Sequence, residues 1–207
     1  MPKAPQDSII LAGERIKLRG GIKVITYDDS PAWSFEKVSA ESPVPLFSKR
    51  RHPETKKHVK TMKELAGAVS QVLLHTDLTK DSKMCFDVLK ARGLSTHFMV
   101  DWDGTIYQGL DPIYVAYHAG NFNGESIGID INNLMRNLEK EPSATPYNPK
   151  APRYSEMIQP EFKRGGPVRK KINGFYTKTY GYTDPQYQAL LELLSVLTSK
   201  LDIKPFV

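Results

Sequence analysis

The sequence predicts an α/β domain: a single mixed β-sheet flanked by helices. Three observations carry this reading. Apolar runs at residues 69–74 and 126–131 have the length and composition of strands. Two helical patterns accompany them, one opening at Asp81 or Ser82 and one at Asp184. Between alternating runs at 96–102 and 105–108 stands Asp103-Gly104, the strongest short-range hairpin signal in the chain. Strands interleaved with helices assemble as one sheet with helices on its faces.

In chain order, residues 13–28 alternate around Gly20-Gly21, which predicts a hairpin there. Residues 28–62 are rich in Pro, Ser, Lys and Asp and read mostly as loop, with Lys49-Arg50-Arg51-His52 on a solvated face. Residues 1–62 thus form an N-terminal extension, and 63–207 form the main domain. The run at 69–74 is expected as a buried strand ending at His75-Thr76-Asp77. The first helix carries Met84, Phe86, Val88 and Leu89 as its apolar positions and stops at Gly93. Residues 134–182 show little periodicity and form a long basic insertion, with a hairpin at 168–172 and 175–178 around Asn173-Gly174. The last helix is capped by Asp184 with Pro185 in its first turn, and presents Tyr187, Leu190, Leu191, Leu194, Leu197 and Leu201 as one apolar face.

Composition narrows the function. The chain has 207 residues, enough for a hydrophobic core without covalent staples. Its single cysteine, Cys85, excludes an intramolecular disulfide and a cysteine metal cage, and its helical setting makes it a small core residue. The net charge of +6 suits polyanions such as nucleic acid, acidic lipid or an anionic cell wall, and equally suits plain solubility. The basic residues are scattered and lack the interleaved aromatics of a stacking platform, so no nucleic-acid partner is expected. No apolar run reaches transmembrane length, and residues 1–8 lack the apolar core of a secretory signal.

The chemistry concentrates between residues 69 and 133. His75 stands at a strand end, where side chains emerge at the carboxyl edge of a sheet. His97 lies inside an alternating strand and is expected to pack or hydrogen-bond. His118 lies in Ala116-Tyr117-His118-Ala119-Gly120-Asn121, a loop of small residues open to a ligand or simply a turn. Asp130 closes Ser126-Ile127-Gly128-Ile129-Asp130, as a turn former or as a proton carrier. Imidazoles that hold a Lewis-acidic ion beside a carboxylate are the equipment of a metal-assisted hydrolase.

Taken in order, these runs resemble the type-2 N-acetylmuramoyl-L-alanine amidases, the zinc-hydrolase group that includes phage amidase lysozymes and the peptidoglycan recognition proteins. The resemblance lies in Leu73-Leu74-His75-Thr76, Ser95-Thr96-His97-Phe98-Met99-Val100, Asp103-Gly104-Thr105-Ile106-Tyr107-Gln108, Ala116-Tyr117-His118-Ala119-Gly120 and Ser126-Ile127-Gly128-Ile129-Asp130. It implies zinc as cofactor, His75 as a zinc ligand, and peptidoglycan or its muropeptides as partner. It implies a substrate cleft lined by His118, with Asn121 and Asn123 in the same loop. The implied reaction is hydrolysis of the amide between the lactyl group of N-acetylmuramic acid and L-alanine, with zinc polarising the carbonyl and activating water. Asp130 stands where the related bacterial amidases carry a glutamate, one methylene longer, and would move the proton. Thr96 stands where other members have a tyrosine, which it cannot replace. The substrate implies a cell-envelope or extracellular setting.

In that family the other two protein ligands follow the last helix, as a Gly-His and then an Asp or Cys. This sequence stops at Lys204-Pro205-Phe206-Val207, so the expectation is one ligand of three and an amidase-like domain lacking its C-terminal segment. The alternative is a module that binds peptidoglycan without cutting it. The basic residues Lys163, Arg164, Arg169, Lys170 and Lys171 are expected to rim the cleft or to form a solvated loop.

Overall fold

A computed structural model describes residues 6–133, 135–137, 168–172, 175–179 and 181–204. A hairpin opens the chain. Strand β1 (Ser8–Leu11) pairs antiparallel with β2 (Glu14–Lys17) through Ala12-Gly13, where both residues take positive φ, 50° and 79°. Two positive φ values in a two-residue loop match the right-handed twist of the flanking strands. The hairpin expected at Gly20-Gly21 is therefore displaced. Those glycines also have positive φ, but they turn the chain out of the hairpin and into a different sheet. The cause is non-local pairing: β3 (Val24–Thr26) runs parallel to residues 106–108, burying Val24 and Thr26, and does not pair with β2.

Residues 28–62 are mostly loop, as expected, with short elements set in it. Helix α1 (Phe35–Ser39) is capped by Ser34, and α2 (Met62–Ala66) by a Thr61–Glu64 capping box. Strand β4 (Phe47–Lys49) pairs antiparallel with β8 (Tyr114–Ala116). Arg50 departs from the solvated face expected for it: the residue is wholly buried. Its guanidinium donates to the carbonyl oxygens of Pro112 (2.8 Å), Gly124 (2.6 Å), Tyr114 (3.1 Å) and Ser126 (2.9 Å). Four acceptors in fan geometry give the planar fork what water would have given it, so it can leave solvent. Burial lowers its pKa to about 10, which still leaves it charged at neutral pH.

The central sheet has five strands. In addition to β3 they are β5 (Gln71–Thr76), β6 (Phe98–Val100), β7 (Ile106–Gln108) and β9 (Ser126–Ile131), in the order β3-β7-β6-β9-β5. It is mixed: β6 and β7 are the antiparallel hairpin that Asp103-Gly104 predicts, and β9 runs parallel to both β5 and β6. Strand β5 is half-buried rather than buried, because it forms one edge of the sheet, and Leu74 stands 48% exposed on it. A second, three-stranded antiparallel sheet joins β10 (Met135–Asn137), β12 (Phe175–Thr179) and β11 (Val168–Ile172), in that order. The hairpin expected at 168–178 is therefore present in its strands, while Asn173-Gly174 lies outside the described residues.

Alternation along β9 explains the two layers. Ile127, Ile129 and Ile131 enter the larger core with Phe98, Val100 and Ile106 and with Ala189, Leu193, Leu197 and Leu201 of α4 (Asp184–Leu201). Each such isoleucine stabilises the fold by about 1.5–3 kcal/mol. The opposite face carries Ser126, Gly128 and Asp130. On that side Met99 packs in a second core with Cys85 and Phe86 of α3 (Ser82–Ala91), a helix capped by Asp81. Helix α4 is capped by Thr183 in a capping box with Gln186, one residue before the expected cap. Its buried stripe is Gln186, Ala189, Leu193, Leu197 and Leu201, so the face is rotated from the expected one and Tyr187 and Leu191 are exposed. The rotation has a polar anchor: the Gln186 amide donates to the Asn132 carbonyl at 2.8 Å, and the Thr183 hydroxyl to that of Trp102 at 2.7 Å. No helix among the described residues is long and apolar enough to cross a membrane.

Candidate functional site

Parallel register places His75 of β5 directly beside Asp130 of β9. Residues paired in register on adjacent strands project from the same face of the sheet, here the polar face that also carries Ser126 and Gly128. His118 comes to this face from the loop after β8. Its Nδ1 lies 3.0 Å from His75 Nε2, and its Nε2 lies 3.2 Å from the Ser126 hydroxyl. The loop that holds it is folded by Asn123, whose side-chain oxygen accepts from the backbone N–H of His118 (3.1 Å) and Ala119 (2.6 Å).

His75, His118 and Asp130 together line a pocket of about 220 Å³ at the carboxyl ends of β5 and β9. Asp77, Thr79, Cys85 and Arg92 complete its polar wall. Asp130 is 7% exposed, and its burial raises the carboxyl pKa, an effect that the Thr96 hydroxyl and then the adjacent His75 only partly offset. His118 is lowered to about 4, by burial first and then by the charges of His75 and Arg50. Asp77 is raised to about 7, again mainly by burial, although its carboxylate accepts from the Thr79 N–H (3.0 Å), the Thr79 hydroxyl (2.9 Å) and the Asn133 N–H (3.3 Å). The pocket thus holds a neutral imidazole beside a carboxyl group that takes a proton more readily than usual.

Sequence reasoning did not single out Asp77, Ser126 or Gly128 as site residues. The signal for Asp77 was its place two residues beyond His75. For Ser126 and Gly128 it was the alternation with three isoleucines, which puts them on the face of Asp130. His97 does what its strand position suggested: it is wholly buried, accepts from the Gly128 N–H at Nδ1 (3.0 Å) and faces the Tyr114 carbonyl with Nε2 (3.2 Å). Burial, with Arg50 and His118 nearby, holds its pKa well below the usual value. Thr96 is buried, with its hydroxyl toward the Phe98 carbonyl at 3.4 Å. Asn121 does not join the pocket. It lines a larger, open depression of about 660 Å³ at the opposite end of the strands, with Arg51, Ser70, Glu125, Asp202 and Lys204. Lys163 and Arg164 lie outside the described residues, and Arg169, Lys170 and Lys171 lie on β11.

Zinc can be tested against these donors. A protein zinc site takes three or four protein ligands. Among the described residues, no three His, Cys, Asp or Glu side chains converge as a metal cage. The facing nitrogens of His75 and His118 are engaged with each other at 3.0 Å. The described residues do not by themselves make a zinc site.

Comparison with known proteins agrees with the sequence runs quoted above. The profile of the family described as N-acetylmuramoyl-L-alanine amidase matches residues 58–206. No curated protein matches the chain in sequence. Among solved structures, the chain is similar to the N-acetylmuramoyl-L-alanine amidase LysC from Clostridium intestinale URNW, with 20% identity over 67% of this chain and 68% of that one and a TM-score of 0.38. It is also similar to Drosophila Peptidoglycan Recognition Protein (PGRP)-SA, with 13% identity over 88% and 76% and a TM-score of 0.42. Manduca sexta Peptidoglycan Recognition Protein-1 matches at 12% identity over 87% and 74%, with a TM-score of 0.41.

Proposed function

We propose, from the premise that the chain belongs to the N-acetylmuramoyl-L-alanine amidase family, that its pocket takes the amide joining N-acetylmuramic acid to L-alanine in peptidoglycan. The observation that carries this is the convergence of His75, His118 and Asp130 on one pocket at the carboxyl ends of parallel strands. In this reading Asp130 receives a proton from the attacking water and returns it to the leaving amine. Its burial-raised pKa supports that role, because its carboxylate takes a proton more readily than a solvent-exposed one. The uncharged His118 imidazole lines the cleft beside the substrate, and Asn123 holds the loop that presents it. Zinc is proposed as the ion of the reaction, with His75 as its ligand, and its cage needs donors besides those described. The basic strand β11 would meet the acidic stem peptide.

A second reading is recognition without cleavage, and one observation favours it: no three potential ligands converge among the described residues. One experiment separates the two. The chain is incubated with a purified muropeptide, with and without added zinc, and the products are followed by mass spectrometry. Release of the intact stem peptide with a free L-alanine amine supports amidase action. Saturable binding with no release supports recognition. Neither release nor binding would overturn both readings.

A further inference from the structure

We propose that Ser126 is a positioning residue that fixes which nitrogens of His118 and His75 carry hydrogen, leaving Nδ1 as the lone-pair nitrogen of His75. A serine hydroxyl has one hydrogen to give. The Ser126 hydroxyl lies 2.6 Å from the carbonyl oxygen of Phe122, a group that only accepts, so its hydrogen is committed there. The residue is wholly buried, which keeps water from competing for that hydrogen.

The same oxygen lies 3.2 Å from His118 Nε2 and can now only accept, so that nitrogen carries the hydrogen. A neutral imidazole carries one hydrogen, so His118 Nδ1 holds a lone pair. His75 Nε2 is 3.0 Å from that lone pair and must donate to it. Hydrogen bonding therefore runs one way, from His75 through His118 and Ser126 to the Phe122 carbonyl. A cation or an N–H donor that reaches His75 meets the Nδ1 lone pair. The relay is held in place by Asn123 on the His118 backbone and by Gly128 under the His118 ring.

The value of this relay to substrate rests on the function proposed above, but the test needs no substrate, so the two can fail separately. The full chain is labelled with nitrogen-15 histidine, and two-bond proton–nitrogen correlations are recorded near pH 7.5, with signals assigned through single His→Gln variants. His75 and His118 are expected as Nε2–H tautomers. Ser126→Ala should leave the His118 tautomer unfixed and move the nitrogen shifts of both rings toward averaged values, while Ser126→Thr, which keeps the hydroxyl, should hold the original pattern. A hydrogen on Nδ1 of either ring in the unmodified chain would overturn the proposal, and this holds even if Ser126→Ala fails to fold. A folded Ser126→Ala with both tautomers unchanged would overturn it as well.

Discussion

The His118 imidazole lies where a β-carbon on residue 128 would stand: a Cβ built on Gly128 meets His118 Cγ and Nδ1 at 2.8 Å and Cδ2 at 2.9 Å. The ring rests on bare backbone, and this brings its Nδ1 to His75. Gly128 also donates its N–H to His97, so that stretch of β9 cannot slide aside to make room. Gly128→Ala is therefore expected to push the His118 ring out and weaken muropeptide binding at least about tenfold, which is about 1.4 kcal/mol. The sheet should persist, since the change adds one methyl group at a single contact. Calorimetric titration of the variant checks this, and unchanged affinity with a normal circular dichroism spectrum would contradict it.

Arg50 should be among the most costly residues to truncate. Four carbonyl oxygens, from the segment after β7, from β8, from the turn before β9 and from the start of β9, converge on its guanidinium. Arg50→Met would take the guanidinium from all four buried oxygens, leaving the Tyr114 oxygen with the His97 Nε2–H, at about 3–5 kcal/mol in total. Arg50→Lys should recover only part of this, because an ammonium cannot span the fan. Urea unfolding of both variants measures the cost. A loss below about 1 kcal/mol for Arg50→Met would mean that water replaces the guanidinium.

These two residues also mark where the sequence is legible and where it is not. The Asp103-Gly104 hairpin, the strand at 126–131 and the Asp81-capped helix are local: turn chemistry, alternation and capping residues lie within a few positions of each other. Local signals likewise pointed to His75, His118 and Asp130, each at a strand end or in a small-residue loop. Non-local pairing was not legible. Gly20-Gly21 looks as much like a hairpin turn as Ala12-Gly13, and only the parallel pairing of β3 with β7 decides between them. Arg50 sits in a basic run and is buried because carbonyls from 62 to 76 positions away surround it. The α4 stripe is not legible because a leucine-rich helix offers two plausible faces, and Gln186 selects one by bonding to Asn132.

The pH response of stability should carry the mark of His118. Its pKa is lowered to about 4, against 6.5 for a free histidine. The unfolded chain therefore binds the extra proton first, and the stability contributed by keeping this ring neutral is present above pH 6.5 and lost as pH falls toward 4. His118→Asn removes this contribution. The stability difference between the chain and the variant should narrow by roughly 1–2 kcal/mol between pH 6.5 and 4, a value reduced for solvent screening at a half-buried site. Thermal unfolding at half-unit pH steps measures it. A difference that stays constant over that window would show that His118 keeps an ordinary pKa.

The most direct test of the central claim is a binding titration of N-acetylmuramoyl-L-alanyl peptide onto the chain, followed by the nitrogen-15 signals of the histidine rings. The account predicts saturable shifts at His75 and His118 with little change at His52. It also predicts at least a tenfold loss of affinity in both His75→Ala and His118→Ala. No saturable shift at His75 or His118, or affinity in both variants unchanged from that of the unmodified chain, would place the peptidoglycan site elsewhere on the molecule.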